Sequence, residues 1–493
     1  MIKDIFSENY SNAAKAIQKA IEHDVKSEKK EKAREGLKYY SRRHDILDFK
    51  LYYFNSEGVM VEEKNRSNIK IPHGYHTELV DQKVNYLASN PIQIKVEDET
   101  YQKELEAYFG ESFQSLIRDA LESAANKGLE YIYTYRKADG KMGFAVADSL
   151  GVILVKDEQD MGKELGILRY YTTTIQDKEG KDIEIIKAEV WTDKNTTYFT
   201  QEKGKNTYVL DDTAKPNPRP HITLEDDKAY YDGGGLGYIP FFKLQNNKEE
   251  STDLEPIKAL IDDYDLMACS LSNNLQDFQE AIYVVRGYAG DDLDALTNNL
   301  KTRKTIGVDS EGGLEVKTVD IPTEARKVKL ELDKEGIYKF GMGFDSSQVG
   351  DSNITNVVIK SRYSLLDLKC NKVEPKLRMV LRDLIKVMTD EINTRLSTKY
   401  LYQDPQIIIT REMMVNEDNI VTNEKAKAET TNQKIETVIL SPISEESKLK
   451  LVCEILELDF EEEKAKLEAE GPYEVDKNLV STMMGGDPIG EES

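Results

Sequence analysis

The sequence predicts an α+β fold, and three observations carry that prediction. Residues 129–210 hold a series of short runs with the two-residue alternation of β-strands. Residues 254–282 then repeat apolar side chains at steps of three and four, the mark of a long helix. Residues 354–398 give a second, still longer helical pattern.

The chain has 493 residues, enough for two to four domains. Residues 1–50 read as helical and mildly basic on balance. The aromatic stretch 47–55 suits either a helix end or a strand, and residues 68–72 are short and extended. Residues 76–88 predict a helix with Leu79, Val80, Val84 and Leu87 on one side. Residues 90–98 alternate Ile92, Ile94 and Val96 as a strand does. A single helix is expected over 102–127, closed by Gly128. A hairpin follows with Asp139-Gly140 at its turn. Further strands are expected at 152–155, 166–174, 183–192, 197–201 and 207–210, and the prolines of 214–221 mark a loop.

Thr252 and Glu255 form a capping box that opens the long helix. Its stripe is Leu254, Ile257, Ile261, Tyr264, Ala268, Leu271, Leu275, Phe278 and Ile282. So narrow a stripe fits a helix packed lengthwise on neighbours from its own chain or another. A small α/β insert is expected over 283–322, with strands at 282–286, 304–308 and 314–319 and a helix at 291–300. A helix over 323–340 precedes a polar, glycine-rich stretch at 341–356. The final long helix is expected to be interrupted at Pro375, which lacks the N–H a helix needs. An edge strand at 405–410 comes next, then helices over 424–440, from Ser444 and from Asp459.

Composition excludes several roles. The net charge of −24 opposes a DNA-coating protein, which needs a basic face. It does not exclude a channel that DNA crosses without being held. The stretch 412–493 is strongly acidic and reads as solvated surface. No apolar run reaches the length of a membrane span, and residues 1–24 lack an apolar signal region, so the chain is expected to start out in a cytoplasm. Cys269, Cys370 and Cys453 lie far apart with no metal spacing and read as free core thiols. His73 and His76 are the one close histidine pair, without further ligands at workable spacing for zinc. No nucleophile-elbow, zincin or Walker motif occurs, and no cofactor or catalytic residue is assigned. The glycines at 233–237 read as a turn between strands.

Three stretches carry a resemblance. They are ELVDQKVNYLASNPIQI at 78–94, GLGYIPFFKLQNNKEESTDLEPIKALIDDYDLMACSLSNNLQDFQEAIYVVRG at 235–287 and GDSNITNVVIKSRYSLLDLKCNKVEPKLRMVLRDLI at 350–385. Their order and spacing resemble the portal family of siphophages that infect Gram-positive bacteria. The resemblance implies a portal fold with a β-rich wing, a long-helix stem, a small α/β clip and a helical crown. It places an N-terminal arm and wing at 1–250, stem helices at 251–282 and 323–340, and the clip at 283–322. A tunnel loop falls at 341–355, a kinked wing helix at 356–404, and crown and tail at 405–493.

The same resemblance implies a dodecameric ring at one capsid vertex of the virion, assembled in the host cytoplasm. DNA would enter and leave through it. Implied partners are the chain itself, double-stranded DNA, the large subunit of terminase, a head-completion adaptor, and the scaffolding and major capsid proteins. Tunnel-loop candidates are Phe344, Asp345, Ser346, Ser347, Gln348 and Val349. Met342, Phe344 and Val349 either pack the loop or touch DNA. Lys327, Lys334, Lys339, Lys360 and Arg362 are candidates for basic rings, or equally for stem surface and ion pairs. The competing reading is a scaffold or adaptor protein of virion assembly without a channel.

Overall fold

A computed structural model describes the chain except residues 1, 65, 138–139, 158, 161, 177–179, 181, 203, 206, 222–233, 278–281, 289–307, 318–321, 347–355, 412–416, 457 and 471–493. It divides into two compact units: residues 1–350 with 360–413, and residues 351–359 with 414–493.

The larger unit opens with two helices. Asn9 caps α1 (Tyr10–Val25) by accepting the N–H groups of Ser11 and Asn12, and Ser27 caps α2 (Glu28–Tyr40). The aromatic stretch 47–55 is helix end and strand in turn: a 3-10 helix ends at Asp48, and β1 (Tyr52–Phe54) then forms a hairpin with β2 (Met60–Glu62). Next is α3 (Tyr75–Leu87), which buries the four residues expected of it. The strand expected at 90–98 shrinks to β3 (Gln93–Lys95). Glutamine side chains satisfy the backbone around it. Gln114 holds both the N–H and C=O of Ile92, and Gln102 takes the Val96 N–H and the Ile94 C=O.

The helix expected at 102–127 is two helices, α4 (Glu99–Tyr108) and α5 (Glu111–Lys127). Gly110 breaks them with an extended backbone, ψ −161°. Glycine costs about 1 kcal/mol inside a helix, and the turn lets Phe109 and Phe113 both meet Phe144. Gly128 closes α5 at φ 87°, where the Glu250 carbonyl leaves no room for a Cβ.

Strands β4 (Leu129–Arg136) and β5 (Met142–Ala147) form the expected hairpin, with Gly140 at φ 80°. Strands β6 (Val152–Lys156), β7 (Glu164–Gln176), β8 (Asp182–Trp191), β9 (Asn195–Glu202) and β10 (Val209–Leu210) build an antiparallel sheet in sequence order. The expected loop at 214–221 contains a short β11 (Arg219–Pro220) that joins β9. Ala13, Ala16 and Ile17 of α1 pack on Leu168, Val190 and Phe199 of this sheet. β12 (Phe241–Gln245) pairs with β4, and an apolar cluster joins that smaller sheet to β6 and β7.

The capping box forms: Thr252 N–H reaches Glu255 Oε1 at 2.8 Å, and Glu255 N–H reaches Thr252 Oγ1 at 3.3 Å. The first turn is tight, so regular α6 begins later, at Lys258, and runs Lys258–Asp277. Ile282, expected at the end of the helical stripe, starts β13 (Ile282–Tyr288) instead. The strand expected at 314–319 falls within β14 (Val308–Lys317), paired with β13 through a register irregularity at Arg286/Tyr288, while residues 304–307 and 318–319 lie outside the described residues. The helix expected at 291–300 lies outside the described residues.

Helix α7 (Thr323–Phe340) has the expected bounds. Helix α8 (Asn356–Leu396) runs 41 residues without the expected interruption at Pro375. Buried Val373 and Leu377 hold the turns on either side. β15 (Gln406–Ile408) pairs with β3. The smaller unit contributes α9 (Glu417–Leu440), α10 (Glu445–Leu456) and α11 (Phe460–Glu470). Asp459 caps α11 by accepting the Glu462 N–H at 2.9 Å. All three cysteines are free and buried.

Candidate functional site

Helix α7 delivers the chain into the stretch 341–346, and the last turn of the helix is firmly seated. Ile337 and Tyr338 are buried with Leu79 of α3, Tyr39 of α2, and Leu254, Ile257 and Ile261 at the start of α6. Leu79 also explains two glycines, since a Cβ on Gly341 or Gly343 would collide with its methyl groups. Gly336 lets α7 approach α6 closely, because a Cβ there would lie 3.2 Å from Leu260 Cδ1.

From Gly341 onward, side chains of α3 and α8 hold the backbone. Lys369 Nζ donates to the Gly341 carbonyl at 2.9 Å. The Gln82 side chain bonds Phe344 twice: its Nε2 donates to the C=O at 2.8 Å, and its Oε1 accepts the N–H at 3.2 Å. Glu78 accepts from Ser346 Oγ and from Tyr338 Oη, each at 2.7 Å. The Phe344 ring packs 4.8 Å from that of Tyr363.

Among the sequence candidates, Phe344, Asp345 and Ser346 thus belong to a fixed root. Ser347, Gln348 and Val349 lie outside the described residues. Lys334 forms an ion pair with Asp345 at 2.6 Å. Lys327 and Lys339 are exposed on α7, and Lys360 is exposed on α8. At about 100° per residue, Lys327 and Lys334 share a face of α7 while Lys339 is turned well away. The Arg362 side chain is outside the described set.

Beneath the root sits a buried ionic centre that the sequence reading missed. Asp253 lies 3.0 Å from Lys83 and 3.1 Å from Lys369, all three side chains being nearly inaccessible. Asn246 donates to Asp253 at 2.9 Å and accepts from Lys83. Burial alone would raise the Asp253 carboxyl; the two ammonium groups outweigh it and hold the group well below the usual carboxylate range. Burial pushes the Lys83 ammonium down. His76 lies nearby on α3, its Nε2 2.9 Å from Asn126 Oδ1, and burial lowers it to about 4. Lys83 was the available signal: it falls in phase with Leu79, Val80, Val84 and Leu87.

A second unforeseen feature runs along α6. The extended segment 67–73 places alternate N–H groups on side-chain acceptors spaced four residues apart. Ser67 N–H meets Asp277 at 3.0 Å, Ile69 meets Asn273 at 2.7 Å, Ile71 meets Cys269 Sγ at 3.2 Å, and His73 meets Asp265 at 3.0 Å. Two extended residues advance about 6.6 Å and four helical residues about 6 Å, so the rungs stay in step. Asp265, fully buried, also accepts from His44 Nδ1 at 2.6 Å and His73 Nδ1 at 2.7 Å. Burial would raise its carboxyl, and these hydrogen bonds hold it below its ordinary value. His73 and His76 therefore serve separate partners. Among the described residues no group of three potential ligands could hold a metal ion, and no helix is long and apolar enough to cross a membrane.

The chain is a mixed helix-and-sheet protein, and the comparisons with known proteins give its family. The family model described as "Phage portal protein, SPP1 Gp6-like" matches residues 19–474, and the chain belongs to that family. The portal protein of Bacillus phage SPP1 is 27% identical over 383 residues, covering 77% of this chain and 74% of that one. The portal protein of Clostridium phage phiCD119 is 26% identical over 403 residues, covering 76% and 84%. A solved chain titled "Neck of native GTA particle computed with C12 symmetry" aligns with a TM-score of 0.34 at 14% identity, over 77% of this chain and 89% of that one. A second, "Neck of empty GTA particle computed with C6 symmetry", aligns with a TM-score of 0.37 at 13% identity, over 79% and 91%.

Proposed function

We propose that the chain is one subunit of a closed homo-oligomeric ring, dodecameric by family analogy, through which double-stranded DNA enters and leaves a phage head. The family match over residues 19–474 carries this reading. Residues 1–250 would be arm and wing, α6 and α7 the stem, and 283–322 the clip where the terminase large subunit and later a head-completion adaptor dock. Residues 341–355 would be the tunnel loop, α8 the wing helix, and residues 405–493 crown and tail. Scaffolding and major capsid proteins would surround the ring at the capsid vertex.

The chemistry suits a passive conduit. Each cation paired with a phosphate adds affinity that DNA must break in order to slide. The net charge is −24, and the loop-root cation Lys334 is neutralised by Asp345. The root at 341–346 is held by Gln82, Glu78 and Lys369, which fixes where the loop would start. Deletion of residues 347–350, which spares every one of these anchors, is expected to leave rings assembling and to impair DNA packaging or retention in infected cells. Normal packaging by that deletion would remove the loop from the mechanism.

A further inference from the structure

The hairpin of β1 and β2 has no role in the reading above. Its register pairs Tyr53 with Val61 and Phe54 with Met60. Successive strand residues face opposite sides, so Tyr53 and Val61 occupy one face and Phe54 and Met60 the other. Both faces are bare: Phe54 is 73% exposed, Met60 61%, and Tyr52 and Val59 53% each. No third strand joins this sheet among the described residues. An isolated two-stranded hairpin is marginal in water. With about 150–250 Å² available per aromatic side chain, the uncovered apolar area is on the order of 600 Å². Summed over both faces, that approaches the roughly 800 Å² each partner gives a standard interface.

The base of the hairpin is nevertheless tied down. Glu63 N–H closes it on the Leu51 carbonyl at 2.8 Å, Asn68 Nδ2 donates to the Phe49 carbonyl at 3.3 Å, and Lys70 Nζ donates to the Leu47 carbonyl at 2.8 Å. The chain then enters the segment bonded rung by rung to α6, beginning at Asp277. At that end of α6 the apolar stripe itself opens to solvent at Leu275. One rigid support therefore carries two bare apolar surfaces.

We propose that a second copy of this chain covers the β1–β2 hairpin, as the apolar arm of a head-to-tail contact between neighbouring subunits. This rests on the ring reading. A closing head-to-tail ring places an unlike surface of the next copy against each subunit's open flank. The hairpin and the open end of the α6 stripe are two bare surfaces that such a neighbour could cover.

The test compares the full-length chain as an oligomer with the same chain diluted to monomer. A Phe54→Cys variant is labelled with a maleimide dye; the three native cysteines are buried. Labelling at position 54 is expected to slow about ten-fold on assembly. A Phe54→Ser, Met60→Ser variant is expected to need about ten-fold more protein to assemble, with an unchanged monomer melting temperature. Equal labelling rates in oligomer and monomer overturn the proposal, and point to solvent or a different protein over the hairpin. The labelling result decides if the double variant melts early or if the two readouts disagree. An oligomer with a reactive position 54 sinks only the hairpin contact. A wild-type chain that never assembles sinks the ring reading, and the hairpin proposal with it.

Discussion

The two halves of the apolar stripe over 254–275 end in different states. In the first half Leu254, Ile257 and Ile261 are sealed against α2, α3 and α7, next to the Asp253 ionic centre. In the second half Leu275 is 46% exposed, and polar rungs to residues 67–73 hold the helix. On α7, Val328 and Leu332 are exposed one turn apart. The first half is thus stabilised by apolar burial within its own chain. The second is held by hydrogen bonds and leaves Leu275 in solvent.

The sharpest way to break this contrast is to strike the sealed half. Asp253→Asn leaves Lys83 and Lys369 buried without their counter-ion and is expected to cost about 3–5 kcal/mol in denaturant unfolding at pH 7. A loss under about 1 kcal/mol would mean that the centre is not the keystone of that half.

The next effect is a pH dependence in the same half. His76 is lowered to about 4 in the folded chain, against about 6.5 unfolded. Between those values the unfolded chain holds the extra proton, so stability falls as pH drops from about 6.5 toward about 4, by roughly 3 kcal/mol. His76→Gln keeps a donor for Asn126 and removes the titration. Unfolding curves for this variant should flatten over that window. An unchanged slope would assign the pH dependence to other groups.

Smaller changes probe the open half. Asn273→Ala removes the acceptor of the Ile69 N–H and is expected to cost about 1 kcal/mol in monomer stability. Smallest of all, Leu275→Ser should shift monomer stability by no more than about 0.5 kcal/mol, yet raise the concentration needed for assembly. A large monomer destabilisation by that change would show that the stripe serves the chain itself.

Local chemistry was legible in the sequence; long-range polar pairing was not. The α7 bounds, the Thr252–Glu255 capping box, the helix start at Asp459 and the succession of strands over 129–210 follow from periodicity and short-range rules. The helix break at Gly110 and the short β3 were misjudged because side chains from elsewhere decide them, through Phe144 and through Gln102 and Gln114. The rungs between 67–73 and α6 join segments about two hundred residues apart, beyond any periodicity argument. Even so, Lys83 and Asp265 each sit in phase with apolar residues of their helices, Asp265 one turn after Ile261. A charged group in that phase must find a buried partner. At the candidate site, the expectation of a tunnel loop at 341–355 came from the family resemblance. Its anchors, Glu78 and Gln82, are unremarkable polar positions on a helix until the fold brings them together.

Closure of the proposed ring around an open axis is read from an axial projection of the purified, assembled chain by electron microscopy. Closed rotationally symmetric rings with a central hole are expected. Monomers at high concentration, open chains, or particles filled at the centre would exclude the ring.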